Sequence, residues 1–280
     1  MAKYVPDIKT ERWVVISATR FDRPDNAEYD KKKIGCVFCY GNEKYTPPEV
    51  YRLGGGDKDK EGWKVRVVPN LFPITDIHEV IIHSPEHEKD IEHLDLQQVE
   101  LILQTYRQRY NFYETDGQVL IFCNHGERSG ASLKHPHSQL VVLPKQITLD
   151  TLEREPVNNL VIENNFFHVY CPDFSQWSYE VWIAPKEEGK KFGLITDIEI
   201  KDLAEILQIT LQKLEKIYAK SPLKKAVEKF SYNFYIYHGT NWYLRIIPRL
   251  VDRAGFELGT GLNVNIVDPT IAAEELKKII

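Results

Sequence analysis

Gly130-Ala131-Ser132-Leu133-Lys134-His135-Pro136-His137-Ser138-Gln139-Leu140-Val141-Val142-Leu143-Pro144 decides the reading of this chain. Proline pushes the residue before it toward extended geometry. Leu140 to Leu143 is an apolar run bounded by Pro144, the pattern of a buried strand. Residues two apart in an extended chain share a face, so His135 and His137 are expected on one side, roughly 6–7 Å apart. Gly130 and Ser132 add a close backbone approach and a small hydroxyl. The combination suits a phosphate held beside a nucleophilic imidazole. The plain alternative is a surface turn entering a strand, and the rest of the chain decides between them.

Working outward, the segments before this stretch alternate strand, helix and strand. Trp63 to Val68 and His78 to His83 read as strands. Asp95 with Gln98 approximates a capping box, and Val99, Ile102, Leu103, Tyr106 and Tyr110 form one apolar helical stripe. Val119 to Cys123 is a further buried strand, and Asn124-His125-Gly126 turns back toward the opening stretch. The second half replays the order. Asn165 to Tyr170 is a strand, and Tyr179 to Ile183 echoes His78 to Ile82. Thr196 and Glu199 cap a helix with the stripe Leu203, Ile206, Leu207, Leu211 and Leu214. Tyr232 to Tyr237 is a strand, and Asn241 to Pro248 echoes His135 to Pro144. Asp268 and Pro269 then open a last helix.

The expectation is an α+β chain of two tandem units with antiparallel sheets and packed helices, divided as 1–150 and 151–280. The second copy lacks both imidazoles, so chemistry is expected in the first. At the N-terminal end, Glu11 to Ser17 reads as a strand and Asp22 to Lys33 as a charged connection. Gly54-Gly55-Gly56 marks a turn; no helix follows it, so it does not read as a phosphate loop.

Composition limits the function classes. With 280 residues, 42% hydrophobic and 28% charged, the chain is long enough for a real core. A net charge of −5 argues against a general nucleic-acid binder. No apolar run approaches the ~20 residues of a membrane helix. No secretory pattern opens the chain, so a cytoplasmic location is expected. In that compartment Cys36 and Cys39, of four cysteines, read as metal ligands or buried thiols rather than a disulfide.

Several motifs stand in a recognisable order: Cys36-x-x-Cys39-x-Gly41-Asn42-Glu43, Thr46-Pro47-Pro48-Glu49, Val65-Arg66-Val67-Val68-Pro69-Asn70, Glu79-Val80 through Ser84-Pro85-Glu86-His87, Asn124-x-Gly126, and Gly130 to Gln139. Arg245 to Arg249 and Ala254-Gly255-Phe256-Glu257 extend the match into the second half. The chain resembles the galactose-1-phosphate uridylyltransferase family, a branch of the histidine-triad superfamily. The resemblance implies two tandem histidine-triad-like units, a homodimer, and a double-displacement reaction on a nucleotide sugar. A histidine would take up a nucleoside monophosphate, UMP or AMP, and pass it to a phosphate acceptor such as hexose 1-phosphate.

By the same resemblance, His137 matches the nucleophile, Gln139 stands where superfamily hydrolases carry a third histidine, and Ser132 matches a phosphate contact. An amide has no protonation state near neutral pH, so Gln139 favours transfer over hydrolysis. Phe38, Asn70 and Asn124 match base and ribose contacts, and Phe256 and Glu257 match hexose contacts, often across the dimer. Cys36, Cys39, His87 and His135 match structural Zn²⁺ ligands, with His83 the competing third ligand. Asn241 and Tyr243 stand where an iron site would need imidazoles, so no iron is expected. The run His135-Pro136-His137-Ser138-Gln139 departs from the longer His-Pro-His-Pro-His-Gly-Gln run of uridylyl-transferring members. It looks more like ADP-glucose phosphorylases and other adenylyl-transferring relatives, which leaves as the alternative an adenylyltransferase or phosphorylase using inorganic phosphate on ADP-glucose, a dinucleoside polyphosphate or adenylyl sulfate.

Overall fold

A computed structural model describes residues 2–10, 12–22, 35–149, 152–154, 156–221 and 229–279. The charged connection read over 22–33 lies outside these apart from Asp22. Two short strands, β1 (Lys3–Pro6) and β2 (Trp13–Ile16), form a separate hairpin. The remaining strands among the described residues form one antiparallel sheet of ten. The first five are β3 (Tyr51–Gly54), β4 (Trp63–Pro69), β5 (Ile77–Ile82), β6 (Gln118–His125) and β7 (His137–Leu143). The second five are β8 (Leu160–Glu163), β9 (Phe167–Tyr170), β10 (Val181–Pro185), β11 (Tyr232–Ile236) and β12 (Leu244–Pro248).

The strand order is β3-β4-β5-β7-β6-β11-β12-β10-β9-β8. From the central β6·β11 pair it runs outward identically on both sides. The two copies thus join edge to edge, with Phe234 opposite Cys123 and Tyr232 opposite His125. Joining this way uses up one exposed edge from each copy, which would otherwise present unpaired backbone groups.

Helices α1 (Leu96–Tyr113) and α2 (Asp197–Lys220) cover one face. Their expected stripes are buried against Val65, Val67, Ile81, Ile121 and Leu140 in the first copy and Val169, Val181, Ile183, Phe234 and Leu244 in the second. Two shorter helices follow, α3 (Gly255–Thr260) and α4 (Pro269–Lys278). No helix among the described residues is long and apolar enough to cross a membrane. Thr196 and Glu199 form the expected reciprocal cap, and the Asp268 side chain accepts from the Thr270 amide. The box expected at Asp95 does not form. Gln98 instead donates to the carbonyls of Lys64 and His83, at 2.8 and 2.7 Å, pinning α1 to the sheet.

The two-residue strand period divides the sheet's faces. Val80 and Ile82 turn away from the helices, onto Val37, Phe38, Trp63 and Val68. Ile81 and Glu79 turn toward them, and Glu79 meets Arg109 of α1 in a bidentate pair at 2.9 and 2.7 Å. This parity corrects the sequence match of Glu180 to Glu79. Glu180 faces the other way, onto Arg245 at 2.7 and 2.8 Å. Placing His125-Gly126 on His238-Gly239 brings the registers into step, because Phe122 and Val80 flank Gln139 as Tyr235 and Trp182 flank Arg245. His78 then corresponds to Glu180, Gln139 to Arg245 and His137 to Tyr243. In the second copy Trp182 and Tyr243 stack at 3.8 Å, and Tyr237 continues the stack. Aromatic rings fill the place where the first copy has a cleft.

Candidate active site and metal cluster

The cleft lies on the helix-free face of the first copy. It opens to solvent and spans about 570 Å³, the open mouth included. Val37, Phe38, Val68 and Val80 form apolar walls, and Asn70, Ser132, His137 and Gln139 supply polar groups. Phe38 stands against both histidines of the opening stretch, with ring centroids 6.0 Å from His135 and 5.4 Å from His137. The turn leading in from β6 requires glycine at 126. Its φ is +80°, and a Cβ there would lie 2.2 Å from Ser231 Oγ.

His137 is buried, and its Nδ1 lies 2.8 Å from the carbonyl oxygen of His135. A carbonyl only accepts, so Nδ1 carries a proton, and in the neutral ring the lone pair falls on Nε2. That arrangement gives a nucleophilic nitrogen on a ring already held in place. Gln139 lies two residues on, on the same face. Its Oε1 is 3.0 Å from His78 Nε2.

Beside the cleft, Cys36, Cys39, His87 and His135 place their ligand atoms within 4.8 Å of one another. The Nδ1 of His135 is 3.6 Å from each sulfur, and that of His87 is 3.4 Å from Cys39 Sγ. Tetrahedral Zn²⁺ with ~2.3 Å sulfur and ~2.0–2.1 Å nitrogen bonds sets neighbouring S and N atoms about 3.5 Å apart. The donor set fits a four-coordinate ion. His135 Nε2 donates to the Ser84 carbonyl at 2.8 Å, which turns Nδ1 to the sulfurs. Burial pulls the His135 imidazole down to about 4 and pushes the Cys36 thiol up to about 12. A cation among the sulfurs would draw the thiolate from that thiol. His83, the competing ligand, is elsewhere. Its Nε2 meets Ser138 Oγ at 2.7 Å and Tyr106 OH at 3.0 Å under the sheet.

The remaining site residues read from the sequence divide. Phe38, Asn70, Ser132, His137 and Gln139 come together in the cleft. Asn124 lines a smaller hollow on the other side of His137, with Asp90, His125 and Lys134. It accepts from Asn233 Nδ2 at 2.8 Å across the junction of the copies. Phe256 and Glu257 do not line the cleft of their own chain. They lie on the exposed helix α3, where Glu257 accepts from the Ala254 amide at 3.0 Å. Arg128 binds the Leu250 carbonyl and Asp252 of the second copy. The sequence reading passed over His78 and the ion pair of His125 with Asp90 at 2.9 Å. His78 was detectable in principle, as a histidine in phase with Val80 on a strand face.

Fold and site together define a class: paired α+β units sharing one sheet, one copy holding a Cys₂His₂ cluster next to a buried histidine in a cleft. Comparison with known proteins agrees. The model of the galactose-1-phosphate uridyl transferase N-terminal domain matches residues 75–145. An ADP-glucose phosphorylase from Arabidopsis thaliana is 28% identical over 98% of this chain and 92% of its own. A galactose-1-phosphate uridylyltransferase from Thermotoga maritima is 25% identical over 96% of each chain. The crystal structure of an A. thaliana ADP-glucose phosphorylase with bound ADP-glucose is 26% identical, covers 100% of both chains and gives a TM-score of 0.75. The chain is thus similar to galactose-1-phosphate uridylyltransferases and to ADP-glucose phosphorylase over nearly its whole length.

Proposed function

We propose that this protein is a nucleotidyltransferase that moves a nucleoside monophosphate from a nucleotide sugar to a phosphate acceptor through a nucleotidyl-histidine. The observation that carries the reading is the 2.8 Å hydrogen bond from His137 Nδ1 to the His135 carbonyl, which places the lone pair on Nε2 in a residue lining the cleft. Nε2 attacks the α-phosphorus, the N–P bond forms, and the bond from phosphorus to the bridging oxygen breaks, releasing the sugar phosphate. A phosphate oxygen of the acceptor then attacks the same phosphorus and the N–P bond breaks. Gln139 and Ser132 hydrogen-bond the phosphoryl oxygens, and Phe38 and Asn70 hold base and ribose, with Asn124 behind the nucleophile.

Cys36, Cys39, His87 and His135 hold Zn²⁺ in this reading. The ion fills a structural role, its four positions taken by protein ligands. Through His135 and Pro136 the cluster sets the carbonyl that orients His137. Residues 1–150 carry the chemistry and 151–280 form the second, aromatic-filled copy. Phe256 and Glu257, on α3 outside the cleft of their own chain, are assigned to the hexose in the cleft of a second copy in a homodimer.

An adenylyl donor with inorganic phosphate as acceptor is supported by His-Pro-His-Ser-Gln at 135–139 and by the likeness to ADP-glucose phosphorylase. Uridylyl exchange with hexose 1-phosphate is the second reading, supported by the T. maritima relative. Exchange of labelled phosphate or labelled glucose 1-phosphate into ADP-, UDP- and GDP-glucose separates them. The reading expects exchange with one base that vanishes in His137→Ala. Exchange with none of the sugars, or exchange that survives in His137→Ala, overturns it.

A further inference from the structure

The contacts of His78 determine which way the Gln139 amide points. His78 is buried in β5. The Ile74 backbone amide lies 2.9 Å from its Nδ1. An amide N–H only donates, so Nδ1 must be the accepting nitrogen, and a neutral ring then carries its proton on Nε2. That nitrogen is 3.0 Å from Gln139 Oε1 and donates to it. The carbonyl end of Gln139 is therefore turned to His78. Its NH₂ is turned away from His78, in a side chain that lines the cleft beside His137.

Asn70 is oriented separately. Its Oδ1 accepts from the Phe72 amide at 2.8 Å, and its backbone N–H donates to the His78 carbonyl at 2.8 Å. Its Nδ2 approaches His78 Nε2 to 3.2 Å, but both are donors, so that approach holds neither group. The second copy offers an internal comparison. The positions equivalent to His78 and Gln139 are Glu180 and Arg245, which pair side chain to side chain on the same face. The fold thus couples these two positions in both halves, with different chemistry in each.

We propose that His78 is a positioning residue that locks Gln139 as a hydrogen-bond donor toward the reacting phosphoryl group and withholds the Gln139 carbonyl as an acceptor for water. The inference rests on the nucleotidyl-histidine reading above. With only N–H groups presented, Gln139 stabilises phosphoryl oxygens but gives an attacking water nothing to donate to. Releasing the amide lets its carbonyl swing inward and orient water at the intermediate.

The test compares two substitutions. His78→Gln keeps an N–H donor near the place of Nε2; His78→Met keeps bulk and removes the donor. Both are assayed in the full chain for transfer to phosphate acceptor and for release of free nucleoside monophosphate. His78→Met should slow transfer about tenfold or more, since lost or misdirected donors at such sites cost up to ~10²–10³. It should also raise the hydrolysed share several-fold. His78→Gln should recover most of both. Metal content and melting temperature serve as folding controls, and ¹⁵N spectra of the wild-type ring should show an unprotonated Nδ1 and a protonated Nε2. The opposite tautomer, a charged ring, an unchanged hydrolysed share in His78→Met, or His78→Gln as defective as His78→Met would each overturn the proposal. Failure of the wild type to form an adduct at His137 would sink the nucleotidyl-histidine reading, while the spectra would still decide the tautomer.

Discussion

Replacing Cys39 with alanine removes the sulfur that touches both imidazoles of the cluster, at 3.4 Å from His87 and 3.6 Å from His135. Three donors remain, and the tetrahedron opens to water. Losing a partner outside the ligand shell already costs about 10–100-fold in metal affinity, so losing a ligand should cost at least the upper figure. Stability follows by linkage. Metal bound only to the folded state contributes RT ln(1 + [L]/Kd), so a hundredfold weaker site loses about 2.7 kcal/mol at the same free metal. For a chain of this size that is a fall of roughly 5–10 °C in melting temperature. The assay is thermal unfolding of wild type and Cys39→Ala, each with added zinc and with chelator, alongside metal analysis. The wild type should carry one zinc per chain and drop on chelation to about the level of the variant, which should hardly respond. The ten-stranded sheet should survive in both, because its core lies away from the cluster. Wild-type protein purified without zinc, or a chelator response equal in the two proteins, would refute the reasoning.

Other outcomes follow from groups under the sheet. Burial first, and then the neighbouring histidines, hold the His83 imidazole well below its usual pKa, so it stays neutral when folded. The unfolded chain binds a proton there below about pH 6.5, so stability falls as pH drops through that value. Urea titrations at pH 7 and pH 5 should show a larger loss of stability in wild type than in His83→Gln. Arg109→Met leaves the Glu79 carboxylate buried, with the Tyr113 hydroxyl, at 2.7 Å, still donating to it. Breaking such a pair should destabilise the chain by about 3 kcal/mol. A change within error in the urea midpoint would contradict that assignment.

The architecture was legible wherever one periodicity dominated. The stripes of α1 and α2 and the apolar strands carry a pattern that burial alone explains. The duplication was legible for the same reason. That the copies fuse through β6 and β11 was not, because edge pairing is a backbone event that leaves no mark on side-chain type. The one-residue error at Glu180 has a related origin. Matching letters placed glutamate on glutamate, whereas the strand period requires Glu180 to face away from the helices, toward Arg245. At the site, Cys36, Cys39, His87 and His135 were readable as a ligand set, but only geometry separates His87 from His83. His78 went unassigned because its role lies in a tautomer fixed by the Ile74 amide, a contact between a loop and a strand. Phe256 and Glu257 could be matched to family positions, but one chain does not bring them to its cleft.

The central claim is a bond between His137 Nε2 and phosphorus. Intact-mass analysis after mixing the protein with nucleotide sugar alone, without acceptor, tests it most directly. A gain of one nucleoside monophosphate less water should appear, localised to the peptide holding His137, removed by mild acid or by added acceptor, and absent in His137→Ala. A wild-type mass unchanged under turnover conditions, or an adduct that persists in His137→Ala, would contradict the account.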